Sequence, residues 1–429
     1  MRKSARHRIV LSLLNMSLRG AALVGRFILS IFLVKFLSLS SVGAFGLLTG
    51  LIGVAPAVLG FGMNYYLNRE IVDLPIVDSG HKIRDRLGMS ILLAVMCIFL
   101  LLVVAEMGLV QGIPYPLRFF LILLLEIVAF DLHMIIIAMR MPLLANVIIF
   151  IRTAAWTFPY VIVSYLIPTL RSLDVLFDFW LAGLTSALLL WVCRSRWWPW
   201  SAIFARPFDW PWLSNHMRRA GLIYCSDLGL VIFQYVDRFI LGILLGLTLT
   251  GIYTFYWSIA NAVQVLVATA VIQVALPKLV SIYREHGVRE WMRVIYRELA
   301  IVMAITIPLC VALYFFVLFL VPHLSKPQLQ EYPLLFPVML FGVVTRVASD
   351  VANFGLYTRG LDRTYALINI MSIFVSIIVG FLAITFGGLM GAGISMAITG
   401  ITLFAVRAWS INSSYRKDIA CHCAQGSEV

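Results

Sequence analysis

The chain alternates long apolar runs with short polar connections over nearly its whole length. A helix of about 20 apolar residues spans the hydrocarbon core of a bilayer, so each run predicts one transmembrane helix. The pattern predicts twelve such helices, over residues 9–37, 41–67, 88–110, 116–139, 142–168, 174–193, 219–245, 248–275, 299–321, 332–357, 364–386 and 388–411. We therefore expect an all-α integral membrane protein.

Basic residues are distributed unevenly between the two sets of connections. Most of the 33 Lys and Arg residues lie in the N-terminal segment and in every second connection, whereas the opposite connections hold Arg118, Arg171 and Lys326. Positive charge marks the cytoplasmic side of a membrane protein, so both termini are predicted to be cytoplasmic. The first apolar run has no small-residue cleavage site and exceeds the length of a signal peptide, so we expect it to remain as the first span.

The composition excludes most other classes of protein. Hydrophobic residues make up 62% of the 429 residues and charged residues 12%, which is far from the composition of a soluble domain. The net charge of +13 does not indicate nucleic-acid binding, because the basic residues fall in short segments between apolar runs. The six cysteines lack the spacing of metal ligands or of a disulfide framework, so we expect free thiols and no bound metal or cofactor.

A segment rich in Trp and Arg, residues 194–217, divides the predicted spans into two sets of six. Its composition indicates a segment along the inner headgroups, either as an interfacial anchor or as a direct lipid-binding element. Leu37–Phe45 is similar to Leu245–Tyr253, which lies 208 residues later, and both copies lie in an outward hairpin. An even number of spans separates the copies, which predicts parallel repeats about an axis along the membrane normal, with a central cavity between the lobes. We thus predict an N-terminal lobe (1–193), a linker (194–217), a C-terminal lobe (218–411) and a cytoplasmic tail (412–429).

The first predicted span carries a polar stripe with positive charge. Arg19 and Arg26 are two helical turns apart and share a face with Asn15. A guanidinium at membrane depth costs roughly 2.5 to 3.5 kcal/mol, so it persists only beside a wet cavity, a partner or an anionic ligand. Arg19 lies near enough to the cytoplasmic end to reach the headgroups, whereas Arg26 lies near the middle of the run. We therefore predict that Arg26 lines a cavity.

Two further polar sets lie on the seventh and tenth predicted spans. They share one helical face each, and they comprise Asp227, Gln234 and Arg238 on the seventh span and Arg346, Asp350 and Asn353 on the tenth. Arg238 could pair with Asp237 or with a carboxylate on another span. Arg346 and Asp350 have the spacing of an ion pair, which leaves open whether they stabilise the lobe or contact substrate.

Other polar side chains within the predicted spans have structural explanations. Arg152 of the fifth span is expected to pair with Glu126 of the fourth, as a bridge inside the lobe. His133 shares a face with Glu126 and is expected to be a buried histidine with satisfied hydrogen bonds. Lys35 lies close to the outer end of its span and is expected to extend its ammonium group to the headgroups.

Several short motifs occur in the order found in one transporter family. The segment Val236–Gly242, followed by Gly251–Tyr253 and Pro277, is similar to the start of the second lobe in polysaccharide flippases. Gly60–Gly62 in the first half and Phe386–Ile394 before the last span fit the same family. The chain therefore resembles the polysaccharide and O-antigen (Wzx-type) flippase branch of the multidrug/oligosaccharidyl-lipid/polysaccharide (MOP) superfamily.

This resemblance implies export of a bacterial lipid-linked saccharide. The implied substrate is an oligosaccharide on a polyprenyl (pyro)phosphate, flipped across the inner membrane to its periplasmic leaflet for O-antigen, capsule or exopolysaccharide synthesis. The bilayer, and the polymerase and glycosyltransferases of the same pathway, are the implied partners. The residue chemistry agrees, since arginine binds phosphate oxygens bidentately and stays protonated. We expect the substrate cavity to be lined by Arg19, Arg26, Arg238, Asn15, Gln234, Asp227, Arg346, Asp350 and Asn353.

Two other classes of function fit the sequence less well. A drug antiporter of the MOP superfamily would share the fold, but that branch typically uses a carboxylate in the first span, where this chain has arginines and no acid. A membrane glycosyltransferase or polymerase would need a large outside loop, and the longest outside connection is residues 322–331. The chain has no Walker motif, so we expect no ATP hydrolysis. The membrane potential, a proton gradient or a sodium gradient could each drive transport.

Overall fold

A computed structural model describes residues 2–72, 74–107 and 116–425. Over these ranges the chain is helical and connected by short turns. The helices are α1 (Arg2–Phe36), α2 (Leu39–Gly60), α3 (Met63–Glu70), α4 (Ile76–Glu106), α5 (Pro116–Ala138), α6 (Pro142–Phe150), α7 (Thr157–Leu166), α8 (Leu173–Ser195), α9 (Trp200–Ala205), α10 (Trp210–Arg219), α11 (Gly221–Leu245), α12 (Leu247–Val267), α13 (Gln273–Leu320), α14 (Pro327–Gln330), α15 (Leu335–Thr358) and α16 (Asp362–Gln425). Single π-helical turns join α6 to α7 and α12 to α13.

Ten helical segments within the described residues are long and apolar enough to cross a membrane. Two of them, Gly221–Val267 and Asp362–Asp418, are 47 and 57 residues long. At about 1.5 Å per residue, each is more than twice as long as the hydrocarbon core is thick. Each also contains a glycine with positive φ, Gly246 (φ 80°) or Gly388 (φ 56°), which breaks the helix where a residue with a Cβ would be strained. Each of these two segments therefore supplies two of the twelve predicted spans.

A third long segment, Lys278–Leu324, supplies one crossing. Its first part is rich in charged residues and contains Gly287, whose φ of 76° interrupts α13. Only the part that follows the charged residues is continuously apolar, and it corresponds to the predicted span 299–321. The long apolar segments, counted this way, agree with the all-α membrane fold expected from the sequence.

The chain forms two compact units. Unit 1 consists of Met1–Leu37 and Leu47–Asp227, and unit 2 consists of Ser38–Gly46 and Leu228–Val429. The start of α2 thus belongs to unit 2. The lobe boundaries at residues 193 and 218 remain a prediction.

Unit 1 is organised around α5. Leu132 and Ile136 of α5 pack against Ala145 and Ile148 of α6 and against Trp191 of α8, and all five side chains are buried. Helix α4 packs on α5 as well. These apolar contacts fix the helices that carry the polar side chains of unit 1.

The two copies of the sequence repeat meet inside unit 2. A Cβ on Gly43 would collide with the backbone oxygen of Leu247, and a Cβ on Gly251 would collide with the backbone oxygen of Leu39. These contacts are reciprocal at an offset of 208 residues, which is the pattern that a local twofold axis produces. Glycine at both positions lets the backbones of α2 and α12 touch where they cross. The reciprocal contacts support the repeat that the sequence predicts and fix its register.

Candidate functional site

Helix α1 presents both of its predicted site arginines on the surface of unit 1. Arg26 lies in the middle of the apolar span Ser17–Phe36, and both Arg19 and Arg26 are exposed. Gly25 allows α1 to pack closely on unit 1, since a Cβ there would approach the side chains of Thr157 and Ala154 to 2.9 and 3.3 Å. The face of α1 that contains Gly25 is thus held by packing, while the arginine side chains remain exposed.

Asn146 of α6 joins two of the predicted site residues. Its Nδ2 donates to Oδ1 of Asn15 at 2.9 Å, and its Oδ1 accepts from Nε of Arg19 at 3.3 Å. Asn146 is buried, and the sequence analysis did not select it because an isolated amide in an apolar run has no characteristic spacing. The structure thus brings Asn15 and Arg19 together through a third residue.

The polar side chains of α5 belong to the interior of unit 1. Glu126 lies 3.4 Å from Arg152, which confirms the predicted ion pair, and it also accepts a hydrogen bond from the indole of Trp180 at 3.2 Å. His133 Nδ1 lies 3.2 Å from the backbone oxygen of Ala145, as expected for a satisfied histidine. These contacts lie inside unit 1 and join α5 to the helices around it.

Arg238 of α11 is buried against aromatic rings. Its guanidinium lies 3.5 Å from the ring centroid of Trp257 and 5.1 Å from that of Tyr235, and it donates to the backbone oxygen of Gly46 at 3.4 Å. Only the backbone N–H of Arg238 bonds the Asp237 carboxylate, at 2.9 Å. The ion pair suggested from the sequence is therefore replaced by cation–π stacking, because the two side chains leave α11 in different directions.

The predicted pair of Arg346 and Asp350 is wrong. Among the described residues Arg346 is 4.0 Å from Asp237, which also accepts a hydrogen bond from the Tyr253 hydroxyl. Asp350 instead accepts a hydrogen bond from Gln264 of α12 at 2.9 Å. Spacing along one helix allows an ion pair but does not select it over a carboxylate that a neighbouring helix supplies.

Helix α12 contributes a polar face that the sequence analysis missed. Thr254, Trp257, Asn261 and Gln264 follow helical spacing, and each has a buried polar atom without a hydrogen-bond partner among the described residues. Nε and Nη2 of Arg238, Nε of Arg346 and Oδ1 of Asn353 have the same status. Buried polar atoms are normally paired, so this interior of unit 2 is suited to water or to polar groups of a ligand. The helical period of the polar residues in α12 was the available signal.

Arg407 is a second functional candidate that sequence reasoning missed. It is buried in unit 2, where it donates to the hydroxyl of Ser349 at 2.7 Å and to Oδ1 of Asn369 at 2.8 Å. It lies near the predicted cytoplasmic end of the last span, where a basic residue has the pattern of a topology signal. The structure shows it as part of the polar interior.

The repeat register relates the predicted residues of α1 to those of α11. At the offset of 208, Arg19 corresponds to Asp227 and Arg26 corresponds to Gln234. Asp227 is exposed and Gln234 is half-buried. Equivalent positions of the two repeats thus carry a polar stripe, but its charge is positive in the first repeat and mixed in the second. The role of these residues in binding remains a prediction.

Comparison with known proteins gives a family and a fold. Residues 4–283 match the family described as polysaccharide biosynthesis protein. No curated protein matches the chain in sequence. Among solved structures, the lipid II flippase MurJ in an inward closed conformation is similar with a TM-score of 0.71 at 12% identity, over 94% of this chain and 87% of that chain.

Two other solved structures show the same fold. An inward-facing multidrug resistance MATE transporter of the MOP superfamily has a TM-score of 0.68 at 12% identity, over 94% of this chain and 99% of that chain. A MOP superfamily transporter from Pyrococcus furiosus has a TM-score of 0.56 at 12% identity, over 95% of this chain and 94% of that chain. The fold is thus that of MOP superfamily transporters, and the expectation of a multi-pass transporter rather than an enzyme agrees with it.

Proposed function

Because the chain belongs to the polysaccharide biosynthesis protein family, we propose that it is a flippase for a polyprenyl-(pyro)phosphate-linked oligosaccharide. It would move this substrate from the cytoplasmic to the periplasmic leaflet of a bacterial inner membrane by alternating access. The glycan would then serve the synthesis of O-antigen, capsule or exopolysaccharide, with the polymerase and glycosyltransferases of that pathway as partners. Both termini would lie in the cytoplasm, as the distribution of basic residues predicts.

The position of Arg26 carries this proposal. The side chain is exposed at the centre of the apolar span Ser17–Phe36, where a guanidinium costs roughly 2.5 to 3.5 kcal/mol and is retained beside a wet cavity, a protein partner or an anionic ligand. A phosphate of the lipid-linked substrate supplies such an anion and fits the planar fork of arginine. Arg19, two turns nearer the predicted cytoplasmic end, would contact the phosphate first.

The mechanism requires that the phosphate bind more tightly in the closed intermediate than in either open state. A ligand shifts a conformational equilibrium only by its difference in affinity for the states. Arg26 would hold the phosphate at mid-membrane. The polar face of α12 supplies amide oxygens and an indole N–H that suit the hydroxyl groups of sugars. The membrane potential, or a proton or sodium gradient, would drive the cycle.

A drug antiporter is the alternative function, since multidrug transporters share the fold. The absence of any carboxylate in the span Ser17–Phe36 favours the flippase, because drug antiporters of this superfamily typically couple cations through an acid there. The two functions differ in a direct assay. An antiporter would protect cells against cationic drugs, and a flippase would restore surface glycan.

Complementation of a flippase-deficient bacterial strain tests the proposal. Arg26→Ala should lower export of the glycan about ten- to a hundredfold at unchanged membrane abundance, which is the loss expected for a charged hydrogen bond. Arg26→Lys should restore part of it, since the charge remains but the bidentate fork is lost. Lys35→Ala is the matched control in the same helix and should export almost normally, because Lys35 lies at the end of the span. Normal export by Arg26→Ala at equal abundance would contradict the proposed phosphate site.

A further inference from the structure

The linker between the two predicted lobes is bound firmly to unit 1. Glu70 at the end of α3 accepts hydrogen bonds from Lys82 at 2.5 Å and from the Trp212 indole at 3.0 Å, and it lies 2.7 Å from Nε2 of His216. Arg84 of α4 donates to the backbone oxygens of Ile203 and Arg206, both at 2.8 Å in the linker. The linker is therefore a fixed wall of unit 1.

A pocket of about 560 Å³ lies between this wall and the first turns of α4. Its lining includes His81 and Lys82 from α4 and Phe208, Asp209 and Trp212 from the linker. His81 is 7% exposed, and its Nε2 has no hydrogen-bond partner among the described residues. A buried nitrogen without a partner costs free energy unless a ligand or water binds it. The pocket is thus a formed site whose wall contains a buried polar atom without a partner.

The charges around the pocket cancel except for one carboxylate. Six of the charged side chains form three ion pairs, and the two charges within each pair cancel. The pairs are Arg206–Asp78 at 2.8 Å, Lys82–Glu70 at 2.5 Å and Arg84–Asp85 at 2.5 Å.

Asp209 is the remaining charge. Its Oδ1 caps α10 by accepting from the backbone N–H of Trp212 at 2.9 Å, and it forms no ion pair within the described part of the chain. A pocket with one excess negative charge favours a cationic group over a second anion. Lys82 and Arg206, although paired, and His81 still offer hydrogen-bond donors to an anionic group next to the bound cationic group.

We expect the pocket to open at the level of the lipid headgroups. It lies at the end of the apolar segment of α4, and its linker wall carries the exposed aromatic side chains of Phe204 (63% exposed) and Trp210 (53% exposed). Exposed aromatic residues beside a span are typical of the interface between membrane and water. The ligand present there in excess is phospholipid.

We propose that this pocket binds the headgroup of a zwitterionic phospholipid with a primary ammonium group, that is, phosphatidylethanolamine. The phosphate would accept hydrogen bonds from His81 Nε2 and from Lys82, and the ammonium group would bind the Asp209 carboxylate. A primary ammonium donates hydrogen bonds to a carboxylate, whereas the quaternary ammonium of phosphatidylcholine has no N–H. The excess negative charge disfavours the anionic headgroup of phosphatidylglycerol. This preference is the opposite of what the basic composition of the linker suggests.

Native mass spectrometry of the purified protein tests the proposal. The protein is stripped of lipid and titrated with phosphatidylethanolamine, phosphatidylcholine or phosphatidylglycerol in mixed micelles, and the bound lipids are counted. The wild-type protein should retain phosphatidylethanolamine in preference to the other two lipids. Asp209→Asn should lower that preference about two- to fivefold, as expected for one partly exposed ion pair. The fold is preserved in this variant because asparagine still caps the helix.

Two further variants separate the pocket from general charge effects. Asp178→Asn removes an exposed carboxylate near the start of α8, the end of that helix opposite the linker, and should leave the preference unchanged. His81→Leu should weaken retention of all three lipids alike, because each presents a phosphate. Equal retention of all three lipids by the wild-type protein would overturn the proposal. It would also fail if Asp209→Asn matched the wild-type protein, which would leave the pocket to a soluble ligand such as a saccharide.

Discussion

Replacing Asp131 of α5 with leucine should destabilise unit 1 strongly. The Asp131 carboxylate accepts hydrogen bonds from Asn64 at 2.8 Å, from Arg86 at 3.0 Å and from the Ser90 hydroxyl at 2.5 Å. Both charged side chains of the ion pair are almost fully buried, with exposures of 1% for Arg86 and 2% for Asp131. Arg86 also donates to Asn64 at 3.2 Å, so the members of this network bond to one another and join α3, α4 and α5. The network is therefore structural.

The expected cost follows from the burial of the pair. Removing one partner of a buried ion pair leaves an uncompensated charge and costs about 3 to 5 kcal/mol. That loss corresponds to an increase of about 10² to 4 × 10³-fold in the unfolding constant. The double variant Arg86→Met with Asp131→Leu removes both charges and should recover most of this loss, since apolar replacement of a whole buried pair is often neutral or stabilising.

The wild-type protein, the two single variants and the double variant form a double-mutant cycle. Equilibrium unfolding of the four purified proteins in detergent measures the coupling energy between the two residues. We expect a coupling of several kcal/mol between Arg86 and Asp131. A matched control is Asp178→Asn, whose exposed carboxylate should contribute about 1 kcal/mol or less. Additive effects of the two substitutions would refute the reasoning, because they would show that Arg86 has water or another anion as its partner.

Two further predictions concern the repeat contact and the linker. Gly43→Ala should lower the free energy of unfolding by about 1 to 3 kcal/mol, because its Cβ would meet the backbone oxygen of Leu247. Gly20→Ala is the control and should be tolerated, because no atom lies near its Cβ position. Equal thermal stability of both variants would argue against the close crossing of α2 and α12. The pKa of Glu70 is raised by burial but lowered more by hydrogen bonds from Lys82 and two neighbours and by the charge of Lys82, so its net shift is downward. The protection factors of the linker amides, which correct hydrogen exchange for its intrinsic pH dependence, should therefore stay high above the usual glutamate pKa and fall as pH drops through the lowered value. The same step in Glu70→Gln would contradict this assignment.

The fold was largely predictable because its signals are local or repeated. Apolar runs of membrane length indicated the spans, and the repeat at an offset of 208 residues indicated the relation between Gly43 and Gly251 before their contact was known. The breaks at Gly246 and Gly388 follow from the backbone freedom of glycine between two apolar runs.

The polar contacts were only partly predictable because they join helices that are distant in sequence. Glu126 and Arg152 pair as expected, since each is the charged residue nearest to the other on adjacent spans. Arg346 contacts Asp237 instead of Asp350, and this choice depends on how α11 packs beside α15. Arg86 lies among basic residues at a span end, so its burial against Asp131 was hidden by the topology signal of its neighbours.

Transport of the lipid-linked glycan by the purified protein is the most direct test of the proposed function. The protein, reconstituted in liposomes with a polyprenyl-pyrophosphate-linked oligosaccharide, should expose the glycan on the opposite leaflet to an added glycosidase. Arg26→Ala should slow this exposure about ten- to a hundredfold, while Lys35→Ala should proceed almost as the wild-type protein does. The proposed function would be contradicted if folded wild-type protein left the glycan on its original leaflet. The proposed role of Arg26 would be contradicted if Arg26→Ala moved the glycan at the wild-type rate.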